Sequence, residues 1–138
     1  MASLRTDEGE YRKRTPRRWR DKFAESFDGL RRGIQGQSSF FVHGFFMTLA
    51  VAGLLLLGCD SVEWCLIFGC IGLVLSLELM NSAIETLFRG FPAEARDRTF
   101  GALHISAAAV LTASTTAVAI GGIVFGRRLV MAFGIFGG

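Results

Sequence analysis

The sequence predicts an all-α integral membrane protein: three transmembrane helices preceded by an amphipathic surface helix. Three observations point there. Of 138 residues, 51% are hydrophobic and only 20% are charged, and 17 are glycine, a poor match to a water-soluble domain. Charge is segregated, since residues 1–39 hold ten of the 15 basic and six of the 12 acidic side chains. The remainder contains three apolar runs, each near the roughly 20 residues needed to cross a 30 Å hydrocarbon layer.

Residues 1–14 read as a disordered polar tail. Thr15-Pro16 resembles a helix start, with Thr as N-cap and Pro at the first helical position. Trp19, Phe23, Phe27, Leu30 and Ile34 then recur every three or four residues, while Arg17, Arg18, Arg20, Lys22, Arg31 and Arg32 occupy much of the other surface. Such a helix, spanning 15–36, is expected to lie on anionic lipid headgroups. A nucleic-acid partner is not expected, because the adjacent spans make lipid the simpler counterpart for these arginines.

The first span is predicted over 40–57, the second over 64–88 and the third over 105–125, within a membrane unit of residues 37–126. Helices satisfy their own backbone groups in lipid, whereas barrel strands would alternate polar and apolar residues. A cleavable signal peptide fits badly, because about 39 mostly polar residues precede the first run. Lys and Arg near the span ends favour a cytoplasmic N-terminus. The connector 58–63 carries no basic residue and falls outside; the connector 89–101 carries Arg89, Arg96 and Arg98 and falls inside. Arg127 and Arg128, opening a short tail over 127–138, fall on the outer side, in mild conflict with that orientation.

The second span is interrupted by Glu78, Asn81 and Glu85. Their i, i+3, i+7 spacing places them within about 60° on one helical face. A charged side chain near the bilayer centre costs roughly 2.5–3.5 kcal/mol on insertion scales, so such residues face a protein interior or a water-filled site. Glu85 sits at the cytoplasmic interface, with Glu78 about 10 Å deeper. An interfacial carboxylate suits Mg²⁺, which uses one or two carboxylates plus substrate phosphates; a deeper one suits proton acceptance. Phosphoryl transfer to a lipid hydroxyl fits this pair. Proton-coupled transport would use similar residues, and plain hydrogen bonding between helices is the structural alternative.

The run Glu78-Leu-Met-Asn81-Ser-Ala-Ile-Glu85 resembles the signature of the prokaryotic diacylglycerol kinase family, which includes undecaprenol kinases. Gly29-Leu-Arg-Arg-Gly before the first span and Ser106-Ala-Ala-Ala-Val110 in the third fall where that family has comparable segments, so the resemblance covers roughly residues 23–125. It implies a homotrimer in the inner membrane of a prokaryote that phosphorylates a lipid alcohol with ATP and Mg²⁺, its sites shared between subunits. It further implies that Glu78 is the catalytic base, that Asn81 organises the site and that Glu85 binds the nucleotide's metal. Two departures stand out. Gln37 replaces a metal-binding glutamate, and Leu103-His104 replaces a Lys-Asp pair that contacts the nucleotide. Arg96, Arg98 and a protonated His104 are the candidates to replace that contact. A catalytically weakened, non-enzymatic member of the fold is therefore the alternative.

Other features suggest less chemistry. Cys59, Cys65 and Cys70 lack metal-ligand spacing and are expected to pack as apolar residues. His43 is expected to be a satisfied helix-end histidine. The small residues between Ala107 and Gly122 suit close helix packing in an oligomer.

Overall fold

A computed structural model describes residues 18–35 and 38–134 of the chain. Thr15, Pro16 and Gln37, for which the sequence suggested roles, lie outside the described residues. Four helices follow in order: α1 (Trp19–Ile34), α2 (Ser38–Leu56), α3 (Ser61–Gly90) and α4 (Ala93–Ala132). Three of them, α2, α3 and α4, are long and apolar enough to cross a membrane. Among the described residues there is no strand.

Helix α2 has 19 residues, about 28 Å of rise, and matches the hydrocarbon thickness. It stops in a turn where Gly58 adopts φ +59°, and the Cys59 N–H reaches back to the Leu54 carbonyl at 3.2 Å. That six-to-one closure satisfies a carbonyl the helix end would otherwise leave open, and the left-handed conformation at its centre favours glycine. Asp60 then starts α3. Its Oδ1 accepts from the Val62 and Glu63 amides at 2.9 and 3.0 Å, and Glu63 Oε2 accepts from the Asp60 amide at 2.9 Å. This is a reciprocal capping box.

The connection between the second and third spans is shorter than the expected 89–101 segment. Helix α3 continues to Gly90 and α4 starts at Ala93, leaving two residues between them. Pro92 is the reason: it pushes Phe91 into extended backbone, ψ 147°, and caps α4 with the φ it already favours. The charged stretch Ala93-Glu-Ala-Arg-Asp-Arg has good helix formers, so charge there marks a helix leaving the lipid rather than a loop. At its other end, α4 runs past the expected 125 to Ala132, so Arg127 and Arg128 are helical. Its 40 residues rise about 60 Å, twice the hydrocarbon thickness.

Helices α3 and α4 pack along most of their length, with α2 against both and α1 against α3. Leu54, Ile67 and Val124 form the buried centre at the end away from Glu85, with Ala50, Trp64, Ile71, Ile120 and Phe125 around them. There Arg128 Nε donates to Glu63 Oε2 at 2.7 Å and its Nη2 to Asp60 Oδ2 at 3.0 Å. The α4 C-terminus is thereby clamped to the α3 cap. Burial pushes the neighbouring Cys59 thiol above its ordinary range, and the Glu63 carboxylate adds to the rise. Helix α1 has no buried residue, and Trp19, Phe23 and Phe27 are each more than 70% exposed.

Candidate functional site

At the opposite end of the α3–α4 pair, the 3.6-residue repeat of α3 turns Glu78, Asn81 and Ser82 inward. All three are buried; Glu78 is 3% exposed and Asn81 8%. Ser82 donates to the Glu78 main-chain carbonyl at 2.9 Å, and Thr86 repeats the pattern one turn on with the Ser82 carbonyl at 2.8 Å. These hydroxyls are thus satisfied within the helix, a common solution in apolar surroundings.

A ladder of hydrogen bonds rises from Asn81 to the polar end of α3. The Asn81 amide donates to Glu85 Oε1 at 3.0 Å, and Arg89 Nη2 donates to Glu85 Oε2 at 3.0 Å. From α4, Ser106 Oγ stands 2.7 Å from Asn81 Oδ1 and 2.8 Å from the Leu103 carbonyl, so its single proton serves one or the other. When it serves Asn81, the amide orientation is fixed: its oxygen faces Ser106 and its nitrogen faces Glu85. The 25-residue separation of Ser106 from Asn81 leaves no local pattern in the sequence that would mark this contact.

The carboxylate of Glu78 is left out of this ladder. Its neighbour comes from α2: His43 Nε2 lies 3.7 Å from Glu78 Oε2, with 20% and 4% of the two side chains exposed. His43 therefore faces a buried carboxylate across the bundle instead of being a helix-end residue satisfied locally.

The remaining candidates sit on the first turns of α4. Arg96 Nη2 donates to the Arg89 carbonyl at 2.6 Å and its Nε to the Phe91 carbonyl at 2.9 Å. Its guanidinium thus caps the end of α3, and that task competes with a phosphate contact. Arg98 is exposed. His104 is exposed too, its ring edge-on to Phe100 with centroids 4.7 Å apart. The structure therefore unites Glu78, Asn81 and Glu85 with His43, Ser106 and Arg89, while Arg96 and His104 are engaged elsewhere.

Among the described residues, no group of three or more His, Cys, Asp or Glu side chains could hold a metal alone. Glu85 offers hard carboxylate oxygens at the polar end, held there by Asn81 and Arg89. That donor set fits Mg²⁺ arriving with phosphates, not a cage built by this chain.

Three apolar helices with two carboxylates and an amide, Glu78, Glu85 and Asn81, gathered near one end define a multi-pass membrane protein with a polar site inside its bundle. Residues 24–125 match the family model of prokaryotic diacylglycerol kinase, and the chain belongs to that family of membrane lipid kinases. Comparison with curated proteins and with solved structures finds no match.

Proposed function

We propose that this chain transfers the γ-phosphate of ATP to the hydroxyl of a membrane lipid alcohol, with diacylglycerol as the leading acceptor and undecaprenol as the alternative. The observation that carries this reading is the division of labour on one helix face. Glu78 is buried and outside the hydrogen-bond ladder, whereas Glu85 is held at the polar end by Asn81 and Arg89.

Glu78 is the general base in this scheme. It takes the proton of the lipid hydroxyl as the oxygen attacks phosphorus, and its burial keeps competing water away. Asn81, pinned by Ser106, aims Glu85 toward the nucleotide. Mg²⁺ on the nucleotide would be held by Glu85 and Gln37 and would neutralise charge on the phosphates. Arg98, exposed on the first turns of α4, supplies a cationic contact in place of the lysine that the family has at Leu103. The polar end that carries Glu85, Arg89 and Arg98 is cytoplasmic, since ATP comes from there and basic flanks stay inside. Helix α1 lies along the same surface on anionic headgroups, and three copies complete the shared sites as a homotrimer in the inner membrane.

Leu103 and His104 favour a second reading, a weakened member that binds lipid without turnover. Purified protein in mixed micelles, given MgATP with diacylglycerol or undecaprenol, decides between them. Phosphate transfer to one acceptor is expected; intact trimers active on neither would remove the kinase reading. Glu78→Gln should lower turnover by about 10²–10⁴-fold, the range for losing a general base, while assembly persists. Unchanged turnover would refute the role given to Glu78.

A further inference from the structure

We propose that His43 binds the acceptor: its Nε2–H and the Glu78 carboxylate grip the two ends of one lipid O–H group. The proposal rests on the lipid-kinase reading of Glu78 and adds to it a substrate contact from a different helix.

The geometry is specific. The 3.7 Å between His43 Nε2 and Glu78 Oε2 exceeds a hydrogen bond, so neither group satisfies the other directly. The two groups face each other as a loose pair, with only 20% of the His43 and 4% of the Glu78 side chain exposed. Buried polar groups in an apolar setting are costly unless partnered, so this gap calls for a polar occupant. An oxygen about 2.8 Å from both atoms closes the triangle comfortably. A hydroxyl matches the pair, because it donates to the carboxylate through its hydrogen and accepts from the ring N–H through a lone pair. Neither a hydrocarbon chain nor an ether can do both.

The chemistry balances. As the hydroxyl oxygen forms its bond to the γ-phosphorus, the O–H proton passes to Glu78 Oε2. The bond from phosphorus to the bridging oxygen of ATP breaks, and its electron pair leaves with ADP. His43 keeps its proton throughout and acts only by holding the attacking oxygen in line. Because α2 contributes His43 and α3 contributes Glu78, the grip reads how closely these two helices approach.

Full-length protein in mixed micelles tests this with two readouts. In kinetics with 1,2-dioctanoylglycerol, His43→Leu should lower kcat/KM for the lipid about tenfold, the scale of one lost hydrogen bond, with the KM for ATP within twofold. His43→Gln, whose amide N–H reaches a similar place, should recover most of the loss. Losses equal for lipid and ATP, or no rescue by glutamine, would overturn the proposal. The second readout needs no turnover: in ¹⁵N-histidine-labelled protein without ATP, the His43 signals, identified by their loss in His43→Leu, should shift with 1,2-dioctanoylglycerol and not with its O-methyl ether. Equal shifts, or none, would overturn the contact. A hydroxyl-dependent shift in wild-type protein that transfers no phosphate would keep the contact and reject the kinase reading.

Discussion

The Ser106–Asn81–Glu85 chain shows how a single hydroxyl can set the direction of an amide and, through it, of a carboxylate. Removing it should be felt more in catalysis than in folding. Ser106→Ala should cost about 0.6 kcal/mol of stability, the mean for hydrogen bonds between helices in membranes, while kcat falls several-fold as Asn81 loses its orientation. Unfolding in sodium dodecyl sulfate beside steady-state kinetics checks both; a larger stability loss with unchanged kcat would make Ser106 a packing residue only. At this scale the sequence was legible wherever residues shared a helix. The spacing of 78, 81 and 85 placed three side chains on one face. His43 and Ser106 were not legible as partners of that face, because contacts between helices depend on rotation and register that no local repeat reports.

Between elements, α1 meets α3 where Gly33 passes Leu79. A Cβ built at Gly33 would stand 2.7 Å from Leu79 Cδ2. That methyl ends a flexible side chain, so alanine should be absorbed, while the branched side chain of Gly33→Val should lift α1 from α3. The expected readout is increased tryptic cleavage at Arg31 and Arg32 together with reduced activity; wild-type cleavage and activity would show that the approach is not needed. A second element-scale test concerns α4, where Leu103 stands in for the family's lysine. Leu103→Lys should tighten nucleotide binding, measured by a lower KM for ATP, and an unchanged KM would refute the idea that a missing lysine contact weakens nucleotide binding. The three apolar runs were legible because lipid imposes their length, and α2 falls close to its expected bounds. The ends of α3 and α4 were less so: charged residues in 89–101 read as a loop, when the break is confined to Phe91 and Pro92.

In the whole molecule, polar clusters tie α3 to α4 near both ends, with the buried Leu54–Ile67–Val124 centre close to one of them. Apolar burial gives little net attraction between helices when lipid is the alternative neighbour, so such polar ties weigh more than their number suggests. Arg128→Leu should lower the thermal midpoint by several degrees, because it leaves Glu63 inside the bundle without its guanidinium. Light scattering on heating the detergent-solubilised protein reads this; an unchanged midpoint would show that the clamp is dispensable. Both halves of this tie were visible as charges in the sequence, where Arg127 and Arg128 looked like a conflict with orientation. Arg128 does not stand as an isolated cation, since it closes onto Asp60 and Glu63 65 or more positions earlier.

That closure bears on how the chain is made. With the N-terminus cytoplasmic, as proposed, the Asp60 and Arg128 ends of α3 and α4 both travel through the hydrocarbon during biosynthesis, and a lone arginine at its centre costs roughly 2.5–3.5 kcal/mol. If the two helices enter as a hairpin bent at Phe91-Pro92, Arg128 makes the passage already paired with Asp60 and Glu63, and the same contact that later locks the bundle lowers the barrier to its insertion.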